Sequence, residues 1–126
     1  MTRRPDLQDL EHGLAAYRDS PAATATDAAA VYEQRVARNL EEIAQRERGS
    51  GPPARAAEAG RLAALLGHAG SFDELQSELC RRIATGAIDE CDAGLMAHLR
   101  ATVMAQVAID SPRYWSFVAA QRRGGR

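Results

Sequence analysis

Three histidines, two cysteines and a few closely spaced carboxylates are the groups in this chain that could hold a metal or move a proton. His12, His68 and His98 fall in separate segments, and none belongs to an HExxH or HxxE arrangement. Cys80 and Cys91 are not accompanied by the second pair that a zinc site needs. Arg81 and Arg82 follow Cys80 and would favour its thiolate, but the position falls on or beside a core stripe, where an inert thiol is expected. Glu41, Glu42 and Glu47, and Asp73, Glu74 and Glu78, are of the type that all-α nucleotide pyrophosphohydrolases use to hold magnesium, but the spacing does not match that pattern. All sixteen basic residues are arginine, so Schiff-base, lysine-base and phosphate-loop lysine chemistry is excluded. The residues therefore predict no catalytic group, no metal and no cofactor.

Two polar features are harder to dismiss. Arg35 and Asn39 are four residues apart, beside an apolar stripe of one helix. Asp110-Ser111-Pro112-Arg113-Tyr114 is a polar corner that ends in aromatic residues. One reading has Arg35 and Asn39 tie this corner down through side-chain hydrogen bonds. The alternative makes Arg35, Asn39, Arg100 and Tyr114, with Asp110 and Arg113 beside them, an arginine-lined pocket for a carboxylate or phosphate. Tyr114, Trp115 and Phe117 lie within four residues, too close for one short turn to bury all three. Trp115 and Phe117 are accordingly the expected interface residues.

The elements that position these residues are helices. Tyr32, Val36, Leu40 and Ile43 recur at helical spacing within a segment expected to run from Asp27 to Arg48, with Leu40 as a central core residue. Gly49-Ser50-Gly51-Pro52-Pro53 is the strongest breaker and predicts a loop. A helix from Ala54 to Leu66 should follow. Ser71 with Glu74 is a capping box that opens the next helix, presenting Leu75, Leu79 and Ile83 and ending at Gly86. Asp92 or Asp89 should cap a helix to about Ala108, with Leu95 (or Met96), Leu99, Val103 and Val107 inward. A weaker helix, Asp6 to Tyr17, precedes them. The expectation is an all-α bundle of four main helices plus this N-terminal one. Residues 1–26 would form the first helix and linker, 27–118 the bundle, and 119–126 a mobile Arg/Gly tail.

Net charge is −1 and the pI about 6.3, which argues against duplex nucleic acid as a partner. No apolar run approaches a membrane span, and two cysteines suit a reduced cytoplasm.

Two stretches resemble a bacterial family of small helical proteins known as a domain of unknown function. They are Tyr32-x-x-Arg35-Val36-Ala37-x-Asn39, and Leu79 through Gly86 continuing to Leu95-x-x-His98-Leu99-Arg100-Ala101-Thr102-Val103 and Ala108 to Tyr114. The resemblance covers about residues 30–114 and departs from the family pattern at Glu33, where a histidine is usual. Members are often encoded beside aminoglycoside-phosphotransferase-like kinases and acyl-CoA dehydrogenases. The resemblance thus implies an accessory role near acyl-CoA or hydroxyacyl metabolism, and it supplies no catalytic residues. The expected function is a non-catalytic helical accessory or interaction protein, a homodimer or the partner of such an enzyme. The alternative is a small ligand-binding or enzymatic bundle.

Overall fold

The computed structural model describes residues 5–124, and among them there are five α-helices, one 3₁₀ turn and no strand. The all-α class predicted from the periodicity is the one the chain adopts. The helices are α1 (Leu7–Arg18), α2 (Ala28–Leu66), α3 (Phe72–Thr85), α4 (Ala93–Asp110) and α5 (Trp115–Gly124). They divide into two compact units, Met1–Gly51 and Pro52–Arg126.

In the first unit, α1 starts at a reciprocal capping box. Asp6 accepts from the Asp9 N–H and Asp9 from the Asp6 N–H, each at 2.9 Å. The 3₁₀ turn Pro21–Ala23 leads to Asp27, which caps α2 by accepting from the Ala30 N–H at 2.8 Å. The Gln34 amide holds this connection, donating to the carbonyls of Ala22 (3.0 Å) and Ala25 (2.8 Å). The exposed pairs Arg18–Glu41 (2.7 Å) and Arg48–Glu11 (3.6 Å) link α1 to α2, each worth at most about 1 kcal/mol at such exposure.

The predicted stripe is not the buried one. Tyr32 is 69% exposed and Val36 42%, while Leu40 and Ile43 are only half-buried, so Leu40 is not a central core residue. Ala30, Ala37 and Ala44 form the inward row, seven residues apart, with Ala30 and Ala44 buried and Ala37 half-buried. Small side chains let a helix approach closely, and α1 supplies too few large ones to cover a second row.

In the second unit, Leu62 and Leu66 of α2, Leu75 and Leu79 of α3 and Leu95 of α4 form one leucine cluster, with Ala63, Leu65, Ile83 and Ile88 packed on it. Its cap residues are among those expected, although Ser71 makes only its own half of the predicted capping box. Gly67 and Gly86 take left-handed φ of 83° and 79°, which glycine adopts without a Cβ penalty. Ser71 accepts from the Glu74 N–H at 3.2 Å, and Asp92 from the Leu95 N–H at 2.9 Å.

Four expectations are corrected. No loop separates Arg48 from Ala54, since α2 is helical throughout with Pro52 and Pro53 inside it. Each proline removes an intrahelical N–H, yet the breaker signal is realised in packing, because the two units divide between Gly51 and Pro52. The inward residues of α4 are Leu95, His98 and Ile109, whereas Met96, Leu99 and Val103 are exposed. Cys80 is exposed, as is Cys91. Phe117 is buried in its own chain at 6% exposure, which removes it as an interface residue. In addition, α5 continues to Gly124 through residues that composition assigns to a tail, whose last two lie outside the described residues.

Candidate functional site

The polar corner belongs to the second unit. The Ser111 N–H donates to the Val107 carbonyl at 2.8 Å and closes α4, and the Tyr114 N–H donates to the Ser111 carbonyl at 3.1 Å. Asp110 is half-buried and accepts from the Gln106 amide at 3.1 Å, an i,i+4 pair on the last turn of α4. Tyr114 and Trp115 project from the corner, 52% and 75% exposed, with ring centroids 6.1 Å apart and planes tilted by 56°. This is within the range of favourable aromatic pairs. Arg100 and Arg113 are exposed as well.

Arg35 and Asn39 lie on α2 in the first unit and are exposed, without a hydrogen-bond or ion-pair partner among the described residues. The six polar residues singled out from the sequence therefore divide, two in the first unit and four in the second. Within the second unit, Asp110, Arg113 and Tyr114 share one corner, while Arg100 lies further back on α4.

Two histidines have shifted titrations, in opposite directions. His98 is 4% exposed, and its Nδ1 is buried without a hydrogen-bond partner. Burial holds its pKa below the ordinary value near 6.5, the Arg61 charge adds to this, and Glu58 opposes it. Arg61 donates through Nη2 to Thr102 Oγ1 at 3.3 Å, one turn beyond His98 on α4, while its Nε is buried and unpartnered. A neutral imidazole in this setting is a core group without reach to a dissolved substrate. His68 is exposed, its Nδ1 3.1 Å from the Ala69 carbonyl and its Nε2 2.7 Å from Glu78. The Ala69 carbonyl, followed by Glu78, raises its pKa, and the hydrogen bond from His68 in turn lowers that of Glu78. Arg82 lies 3.3 Å from the same Glu78 oxygen. An open hollow of about 500 Å³ adjoins this triad, with Asp73, Glu74 and Arg81 on its wall. No group of three or more His, Cys, Asp or Glu among the described residues is placed to hold a metal ion.

The sequence reading missed an apolar groove in the first unit. It encloses about 390 Å³ between α1 and α2, lined by Leu10, Gly13, Leu14 and Tyr17 on one side and Tyr32 and Val36 on the other. A second apolar surface is the stripe Met96 (51% exposed), Leu99 (41%) and Val103 (58%) on α4. Its signal was present, because α4 is apolar on nearly every face, and such a helix is normally covered on more than one side.

The family model for a domain of unknown function, DUF6285, matches residues 24–114, most of the chain and all of α2, α3 and α4. The chain belongs to this family. No curated protein and no solved structure matches it. The match takes in the α4–Tyr114 corner and all of the groove's α2 wall, and it leaves α1 outside. No helix among the described residues is long and apolar enough to cross a membrane.

Proposed function

We propose that this chain is a non-catalytic helical interaction module of the bacterial cytoplasm, an accessory to an enzyme of acyl-CoA or hydroxyacyl metabolism. The observation that carries the reading is the amount of large apolar surface left in solvent. Among the described residues nine large hydrophobic side chains are exposed, Trp115 the most, against ten buried hydrophobic residues, of which two are alanine. Protein-binding surfaces are enriched in such aromatic groups, and a monomer that meets no partner rarely keeps them in clusters. The Tyr114–Trp115 corner is the surface offered to the enzyme. A kinase-like protein or an acyl-CoA dehydrogenase is the partner that the family resemblance implies.

The test is affinity purification from the native host with the wild-type chain beside a Tyr114→Ala, Trp115→Ala variant. Recovery of an acyl-CoA or hydroxyacyl enzyme in stoichiometric amount with the wild type and its loss with the variant is expected. Equal recovery with both, or recovery of no such enzyme, overturns the reading.

A further inference from the structure

We propose that the chain self-associates by seating the α4 stripe of one protomer in the α1–α2 groove of another, with Arg100 of the stripe meeting Glu33 of the groove. This rests on the interaction reading above but concerns different surfaces from the Tyr114–Trp115 corner.

The two surfaces fit each other in chemistry and in length. Met96, Leu99 and Val103 follow a three-then-four spacing, the seam that a helix presents to a neighbouring helix or groove. At 1.5 Å per residue the stripe is about 10.5 Å long, and the α2 wall of the groove, from Tyr32 to Leu40, about 12 Å. Gly13 on the groove's lining leaves room for close approach, since nothing lies within 4 Å of where its Cβ would stand. A glycine within a helix is less favourable than alanine, so the opening is held at the expense of α1 itself.

Charge selects this pairing over the two symmetric ones. Glu33 lines the groove and Arg100 adjoins Leu99 on the stripe; both are exposed, and neither has a hydrogen-bond or ion-pair partner among the described residues. Stripe against stripe, centred on Leu99 and Val103, would bring two Arg100 side chains together near the axis. Groove against groove would do the same with two Glu33 carboxylates. Stripe in groove brings opposite charges together instead. Each protomer carries one groove and one stripe, so the contact joins two different surfaces and association adds protomers through one groove–stripe contact at a time.

The experiment uses the purified full chain and sedimentation equilibrium, with circular dichroism to verify that each variant keeps its helices. Wild type should self-associate, and Val36→Glu and Val103→Glu should each be monomeric. An equimolar mixture of these two variants should recover heterodimer, because one has an intact stripe and the other an intact groove. Glu33→Arg and Arg100→Glu should each weaken association by roughly tenfold, and the double reversal should restore it. A wild type that is monomeric at every concentration reached overturns the proposal. So does self-association that survives Val36→Glu, a mixture that stays monomeric, or a double reversal no better than the singles. None of these results bears on recovery of the enzyme at the aromatic corner, so the two proposals fail separately.

Discussion

The two units reach different kinds of core with the same kind of element. The second is built on five interlocking leucines from three helices, whereas among its described residues the first buries one leucine and two alanines as its apolar interior. Fully burying a leucine side chain is worth about 1.5–3 kcal/mol, and an alanine methyl less than about 1 kcal/mol. The second unit is therefore held by its own interior. The first relies on caps, the Gln34 staple and two exposed ion pairs, and leaves its larger side chains lining a groove. Helical pattern alone does not determine how much a helix buries. That depends on how many large side chains the neighbouring elements bring to the contact.

The largest test of this contrast is truncation within the leucine cluster. Leu75→Ala should cost about 2–5 kcal/mol in denaturant unfolding, since the side chain is 2% exposed and enclosed on all sides. A loss no greater than that of a half-buried side chain would mean that the cluster is not the core. Next, replacing Pro52 and Pro53 together by alanine should stabilise the protein by about 2 kcal/mol, because both lie inside α2 and each lacks an N–H donor. Unchanged or lower stability would show that the junction of the units gains from the prolines.

Smaller effects sharpen the comparison. Leu40→Ala, on the half-buried side of the first unit, should cost about 1 kcal/mol, well below Leu75→Ala. Equal losses would erase the distinction between the units. Ser71→Ala should also cost about 1 kcal/mol through loss of the bond to the Glu74 N–H.

The last test is the pH dependence. The folded pKa of His98 lies below its unfolded value, so the unfolded chain binds the proton more readily. Its contribution to stability is complete above about pH 6.5 and declines as the pH falls below that value. His68 has the opposite sign: its folded pKa is raised, so its contribution is present below about pH 6.5 and is lost as the pH rises through the folded value. Melting curves of wild type, His98→Gln and His68→Gln across this range should separate the two. If His98→Gln keeps the full acid-side decline, the buried imidazole is not its source.

The sequence by itself determined the class and most of the caps. Asp6, Asp27, Ser71, Asp92, Gly67 and Gly86 act where their types imply, because a cap is made by atoms within four residues of one another. The inward residues of α3, Leu75 and Leu79, were legible for a related reason: one apolar stripe on an otherwise polar helix leaves a single face to bury.

Tertiary structure decided the rest. On α4 nearly every face is apolar, so the sequence offers both Leu95–His98 and Met96–Leu99–Val103, and only the position of the leucine cluster selects between them. On α2 the alanine row at 30, 37 and 44 went inward in place of the bulkier Tyr32 and Val36, a choice set by what α1 can bring against it. The Gly-Pro run reads locally as a loop, yet it became a boundary between packed units inside a continuous helix. Local chemistry fixes where a helix can begin and end, while burial is a property of pairs of elements far apart in the chain, and no spacing along one helix encodes its partner.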